Sequence, residues 1–108
     1  MNMDPGQLDR RVTFQSLVMI EDDMGGVVHG WEDRFTLWAH ILYLRGSEAV
    51  MQARLVSMAP VIITVRRSAQ SVAITSEWRA VIGGITFDLK EDPRPSENGA
   101  WLEMLAEG

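Results

Sequence analysis

From Arg11 to Ile20 the chain alternates. Val12, Phe14, Val18 and Ile20 fall on one side of an extended segment, and Arg11, Thr13 and Gln15 on the other. That period of two is the signature of a strand. Leu17 and Met19 break the alternation, which predicts that the far half of this strand is covered on both sides. Residues 21–33 bring Gly25, Gly26 and Gly30 together with Glu21, Asp22, Asp23, Glu32 and Asp33. Asp-Asp-Met-Gly-Gly is turn chemistry, because glycine takes positive φ without penalty. The whole stretch therefore reads as a long acidic connection closed by Trp31. A second strand is predicted over 35–42, with Phe35, Leu37, Ala39 and Ile41 facing one way and Trp38, His40 and Leu42 the other. Apolar residues on both faces predict a central or interface strand.

Between 44 and 59 the period lengthens. Gly46 ends the second strand, Ser47 can cap a helix, and Glu48 suits the positive end of its dipole. Met51, Leu55 and Met58 then recur at four- and three-residue spacing, and Pro60 ends the helix. Those methionines read more simply as core packing than as an adaptable contact surface. Residues 61–67, VIITVRR, are β-branched almost throughout and predict a third strand. After a polar turn at 68–71, residues 73–76 lead into strands over 78–82 and 85–90, separated by Gly83-Gly84. Two glycines between apolar runs predict a tight hairpin. Residues 91–100, with Pro93, Pro95 and Gly99, form a second long loop. Residues 101–105 make a closing strand and 106–108 a tail, while residues 1–9 form a polar N-terminal arm. The expectation is a mainly β fold: one domain over 1–108, a small barrel or sandwich of about six strands with one short helix.

At this length a domain buries roughly 60–70% of the surface its unfolded chain exposes. The chain is 46% hydrophobic and 23% charged, the balance of a soluble globular protein. It has no cysteine, which excludes disulfides, thiolate ligands and a cysteine nucleophile. Its net charge of −5 argues against a free-standing nucleic-acid binder, whose affinity rests on neutralising phosphates. Arg66, Arg67 and Arg79 are the nearest approach to a basic patch beside Trp38, Trp78, Phe87 and Trp101, the aromatics such a barrel would use. Nine of the ten basic residues are Arg, the side chain suited to bidentate contacts at interfaces. No basic segment followed by an apolar one opens the chain, and no apolar run approaches the roughly 18 residues of a spanning helix. Synthesis in the cytoplasm and no membrane association are expected.

Candidate chemistry is sparse. There is no GxSxG elbow, and His29 and His40 stand in no recognisable constellation. The carboxylate pairs Asp22/Asp23, Glu32/Asp33 and Glu91/Asp92 lie in turn-rich stretches where solvation explains them. Residues 21–33 lack the alternating ligand spacing of a calcium loop. Gly83-Gly84 belongs to neither GxGxxG nor a phosphate loop. No enzyme activity, metal or cofactor is expected.

Several positions acquire meaning through their order. Gly6, Leu8, Arg11, Val12 and Gln15 stand near the start, then Asp23, Gly25, Gly26 and Trp31 in the first connection. Trp38-Ala39 leads to Leu44, Gly46, Ser47 and Glu48. Ile63-Thr64-Val65-Arg66 is followed by Trp78-Arg79, by Gly83-Gly84-Ile85-Thr86-Phe87-Asp88-Leu89, and by a closing Leu102-Glu103-Met104. In this order and spacing the chain resembles the head–tail joining family of tailed phages, prophages and gene transfer agents, the connectors between portal and tail. The resemblance implies a β-barrel protomer in a homo-oligomeric ring, a hexamer or dodecamer, at the neck of a particle assembled in the bacterial cytoplasm. Its neighbours would be a portal-side adaptor and a tail terminator or tail-tube protein. Packaged DNA would pass through without sequence-specific binding, and a stopper member would help retain it. An acidic chain suits such a channel, since attraction to phosphate would impede the DNA. On this reading Arg45, Glu48, Met51, Gln52, Arg54, Leu55 and Met58 are the expected channel or subunit contacts. Asp22, Asp23, Trp31, Arg94 and Glu97 are expected in loops that dock on neighbouring rings. A tail-completion or terminator ring and a small nucleic-acid-binding barrel are the alternatives.

Overall fold

In a computed structural model of the chain, residues 5–44, 60–96 and 98–108 are described. Seven strands follow in order: β1 (Arg10–Glu21), β2 (Val27–Tyr43), β3 (Pro60–Arg66), β4 (Arg79–Ile82), β5 (Ile85–Leu89), β6 (Arg94–Pro95) and β7 (Trp101–Glu107). Single 3-10 turns occupy Pro5–Gln7 and Ser71–Ala73. The sheet order is β3-β2-β1-β4-β5-β7-β6, every pairing antiparallel, and β3 also pairs with β7. The six longer strands thus return on themselves in one hydrogen-bonded circuit. Closure is how a small all-β domain removes its edges. The expected mainly β architecture is the one found, with β6 a two-residue addition against β7. The helix predicted between 44 and 59 lies outside the described residues.

The alternation in the sequence becomes the inside and outside of this circuit. Val12 and Phe14 of β1, Val61, Ile63 and Val65 of β3, and Leu102, Met104 and Ala106 of β7 are buried together. Ala80 and Ile82 of β4 join Phe87 and Leu89 of β5 in the same core. Phe14, Phe35 and Trp78 step across one side of it at ring separations of 5.9 and 5.7 Å. Between β4 and β5, Gly83 and Gly84 have φ of +57° and +82°, the two positive values a type I′ hairpin turn requires. Ala106 is fully buried and opposite Val61 and Leu89. Residues 106–107 therefore continue the closing strand rather than forming the expected tail.

The predicted long loops are strand in part. Residues 91–100 contain β6, with Arg94 opposite Glu103 and Pro95 opposite Leu102. The larger correction concerns residues 21–33. β1 and β2 stay paired from Arg10 opposite Ala39 out to Glu21 opposite Val27, so only residues 22–26 turn. Gly30 is a strand residue opposite Val18, not part of the turn. A Cβ there would stand 2.7 Å from Ile20 Cδ1, so the bare backbone lets Ile20 lie across the neighbouring strand. Ile20 itself, placed with the buried set by its spacing, is half exposed, and Leu17 and Met19, in the half expected to be covered on both sides, are exposed too, because among the described residues only β2 pairs with that end of β1.

Candidate functional site

β1 pairs with β4 only from Val12 to Gln15, and β2 pairs with β3 only from Ala39 to Tyr43. Past Gln15 the two strands leave the closed sheet as a two-stranded ribbon. The departure is built into the pairing. Phe14 faces Phe35 and Gln15 faces Asp33, so Arg34 is an extra residue on β2. Such a bulge bends its strand and increases the local twist. The Arg34 Nε–H donates to Ser16 Oγ at 2.6 Å, and its guanidinium lies 3.7 Å from the Glu32 carboxylate. On the other face Arg79 of β4 stacks on Trp31, 4.3 Å from the ring centroid. Arg79 Nε–H also donates to Gln15 Oε1, and Gln15 Nε2–H to Asp33 Oδ1, each at 2.6 Å. The ribbon's base is thus held on both sides by an arginine.

Its far part is apolar on both faces. Met24 is 94% and Met19 70% exposed, and Leu17, Ile20, Val27, Val28 and Trp31 are also exposed. An isolated two-stranded hairpin is marginal in water, and a contiguous apolar patch of this kind marks a surface that meets another. At the tip Asp22 closes the turn: its Oδ1 accepts from the backbone N–H of Met24 at 2.9 Å and of Gly26 at 2.7 Å. Glu21 and Asp23 are the acids left facing outward beside it.

The opposite end of β1 carries a groove of about 690 Å3, lined chiefly by Leu8, Asp9, Trp38, Arg66, Ser68 and Gln70. Trp38 is half exposed, with the Arg11 guanidinium 4.8 Å from its ring centroid. Arg66 lies 5.6 Å from the ring of Trp101. The wall is stapled by Ser71, fully buried. Its Oγ–H donates to the Arg66 carbonyl at 2.8 Å and its oxygen accepts from the Ser68 N–H at 2.7 Å. Among the described residues, Arg10, Arg11, Arg66 and Arg67 form no ion pair.

Of the residues singled out from the sequence, Asp22 and Asp23 are at the ribbon tip, Trp31 is on its β2 strand and Arg94 is in β6. Trp31 is therefore a strand residue, not the close of a loop. Arg94 lies on the other side of the fold, 3.2 Å from the Glu91 carboxylate. Glu97 and the set Arg45, Glu48, Met51, Gln52, Arg54, Leu55 and Met58 lie outside the described residues. The aromatics considered for a nucleic-acid barrel are not displayed together. Phe87 and Trp101 are buried, Trp78 packs on the core, and Trp38 is half exposed. Single-strand binders present such rings on one open face. Arg66 and Arg67 at the end of β3 are likewise separated from Arg79, which is committed to Trp31. Sequence reasoning did not find the ribbon's Leu17, Met19, Val27 and Val28 or the cluster Arg10 and Arg11 as sites. The broken alternation at Leu17 and Met19 was the available signal. Among the described residues no group of three or more His, Asp or Glu is placed to hold a metal, and no helix is long and apolar enough to cross a membrane.

A closed antiparallel sheet that projects an apolar ribbon has the features of a structural, partner-binding β protein. The comparisons agree. The chain belongs to the phage head completion protein family, whose model matches residues 3–108. It is therefore a structural component of head–tail joining and not an enzyme. The solution structure of protein SF1141 from Shigella flexneri 2a is similar, with 27% identity and a TM-score of 0.72 over 96% of this chain and 95% of that one. A chain from the virion of a native gene transfer agent particle shares the fold at 22% identity and a TM-score of 0.64, covering 92% of each. No curated protein sequence matches the chain.

Proposed function

We propose that this protein forms a homo-oligomeric ring, a hexamer or dodecamer, in the neck of a phage or phage-like particle. There it joins the portal-side adaptor to the tail terminator or tail tube and helps retain packaged DNA. The observation that carries the reading is the ribbon of residues 16–33: a closed β domain has no folding need for a two-faced apolar arm. Family membership and the likeness to a gene transfer agent virion chain support the location. The net charge of −5 suits a channel through which DNA slides without sticking. Residues 46–58, with Arg45 beside them, are proposed as the channel or subunit contacts, and the ribbon tip with Asp22 and Asp23 as a docking element.

Electron microscopy of particles from a strain lacking the gene tests this. Full or leaking heads beside free, finished tails are the expected picture, and leaked DNA marks the stopper role. Normal joined particles would remove the protein from the neck. Deleting residues 46–58 should leave a folded chain that cannot join tails; if that chain unfolds instead, the segment belongs to the core.

A further inference from the structure

The ribbon and the groove are complementary in both polarity and charge. Glu21 and Asp23 stand at the ribbon tip outside any ion pair among the described residues, and Met19 and Met24 are the most exposed of its apolar side chains. The groove offers a half-exposed Trp38 with the Arg11 guanidinium over its ring, Arg66 in its lining, and Arg10 and Arg67 adjoining in the chain. Among the described residues, Asp9 is the one acid in its lining. Methionine side chains are suited to irregular apolar grooves, and arginine beside an open indole is suited to receiving carboxylates.

The two features cannot meet within one molecule. Arg11 and Glu21 lie on the same extended strand, about 34 Å apart at the rise of an antiparallel strand. A contact between unlike patches at opposite ends of a protomer is heterologous, the kind of interface that generates a ring where its rotation closes.

We infer that the ribbon of each copy seats in the groove of the next, Met24 and Met19 against Trp38 and Leu8, with Glu21 and Asp23 facing the arginines of the rim. This rests on the ring reading above and adds which surfaces make the ring. The occupant is a second copy of this chain, because the complementary charge is on the chain itself.

Cysteine pairing tests the contact, since the chain has no cysteine of its own. Met24→Cys and Gln70→Cys are both exposed positions outside the core. Assembled particles carrying the double variant are treated with a short bis-maleimide reagent and the chain is followed on denaturing gels. The expected result is a ladder of cross-linked multimers from the double variant. Particles carrying both single variants together should give dimers only, and either single variant alone should give none. Cross-linking of Met24→Cys alone would mean that ribbons meet ribbons, and linkage of the chain to a different polypeptide would put the ribbon on a neighbouring protein. Either result, or no cross-link in joined particles holding several copies, overturns the inference while the ring stands. One copy per particle would overturn the ring reading itself.

Discussion

Arg79→Met should loosen the ribbon without unfolding the domain. Methionine keeps most of the aliphatic reach and removes the guanidinium. Two interactions disappear: the stack on Trp31 at 4.3 Å and the hydrogen bond to Gln15 at 2.6 Å. A cation–π contact at an exposed ring contributes about 0.5–1 kcal/mol. A hydrogen bond from a charged donor contributes about 1.5–3 kcal/mol, reduced at this partly exposed site to about 1 kcal/mol. The sum is about 1.5–2 kcal/mol. Because β4 supports β1 only up to Gln15, the loss falls on local opening of residues 16–33. Amide hydrogen exchange should show those residues exchanging roughly 10–30-fold faster, the factor that 1.5–2 kcal/mol sets. Protection of Ile63, Val65 and Met104 in β3 and β7 should hold. A double-mutant cycle with Trp31→Ala should return a coupling of about 0.5–1 kcal/mol. Uniform loss of protection across the core, or none in the ribbon, would refute the assignment of Arg79 as the clamp.

Further perturbations follow from the packing. Ser71→Ala strands the Ser68 N–H and the Arg66 carbonyl it bridges, and urea titration should show a loss of about 2 kcal/mol. Met104→Ala, at a fully buried position, should cost about 2–5 kcal/mol by the same measurement. Gly84→Val forces a β-branched residue to φ of +82°, and should lower stability by about 1–2 kcal/mol in a thermal melt. Replacing residues 17–31 with Asn-Gly joins Ser16 directly to its partner Glu32. That chain should keep its melting transition within a few degrees and fail to restore joined particles in a deletion strain.

How much of this was legible beforehand depends on what signalled each element. The strands that build the closed circuit were readable because one face of each is buried, so burial wrote a period of two into Val12 and Phe14 and into Ile63 and Val65. Gly83-Gly84 was readable because a two-residue turn demands positive φ at both positions. The ribbon was readable as strand only in its β1 half, because it has no inside. With both faces open, Leu17, Met19, Val27 and Val28 carry no alternation, and Gly30 and the acids imitate a loop. The groove was equally silent. Its parts come from the first turn, β2 and the end of β3, and only pairing brings Trp38 beside Arg11. Family resemblance pointed to docking at residues 21–33; it could not say that the docking element was a strand pair.

Closure explains why the interaction surface lies where it does. In the circuit β1-β2-β3-β7-β5-β4 every long strand has two neighbours, so its backbone donors and acceptors are spent within the domain. Among the described residues the longest exceptions are the outer part of β1 beyond Gln15 and the outer part of β2 before Ala39, with shorter ones at Arg10 and Arg11 of β1 and at Ile85, Thr86 and Phe87 of β5. Unpaired strand edges and unburied apolar side chains are each liabilities for a solitary protein. Here both fall on the same ribbon, held at its base by Arg34 on one face and Arg79 on the other. A sheet edge left open by error would be flat and unsupported. This one is bulged at Arg34, capped by Asp22 at its turn and acidic at its tip, which keeps free copies from pairing edge to edge through like-charge repulsion. The acids that hold solitary ribbons apart are then the same ones a cationic rim would receive. One charge pattern thus serves both to discourage random association and to favour the ordered one.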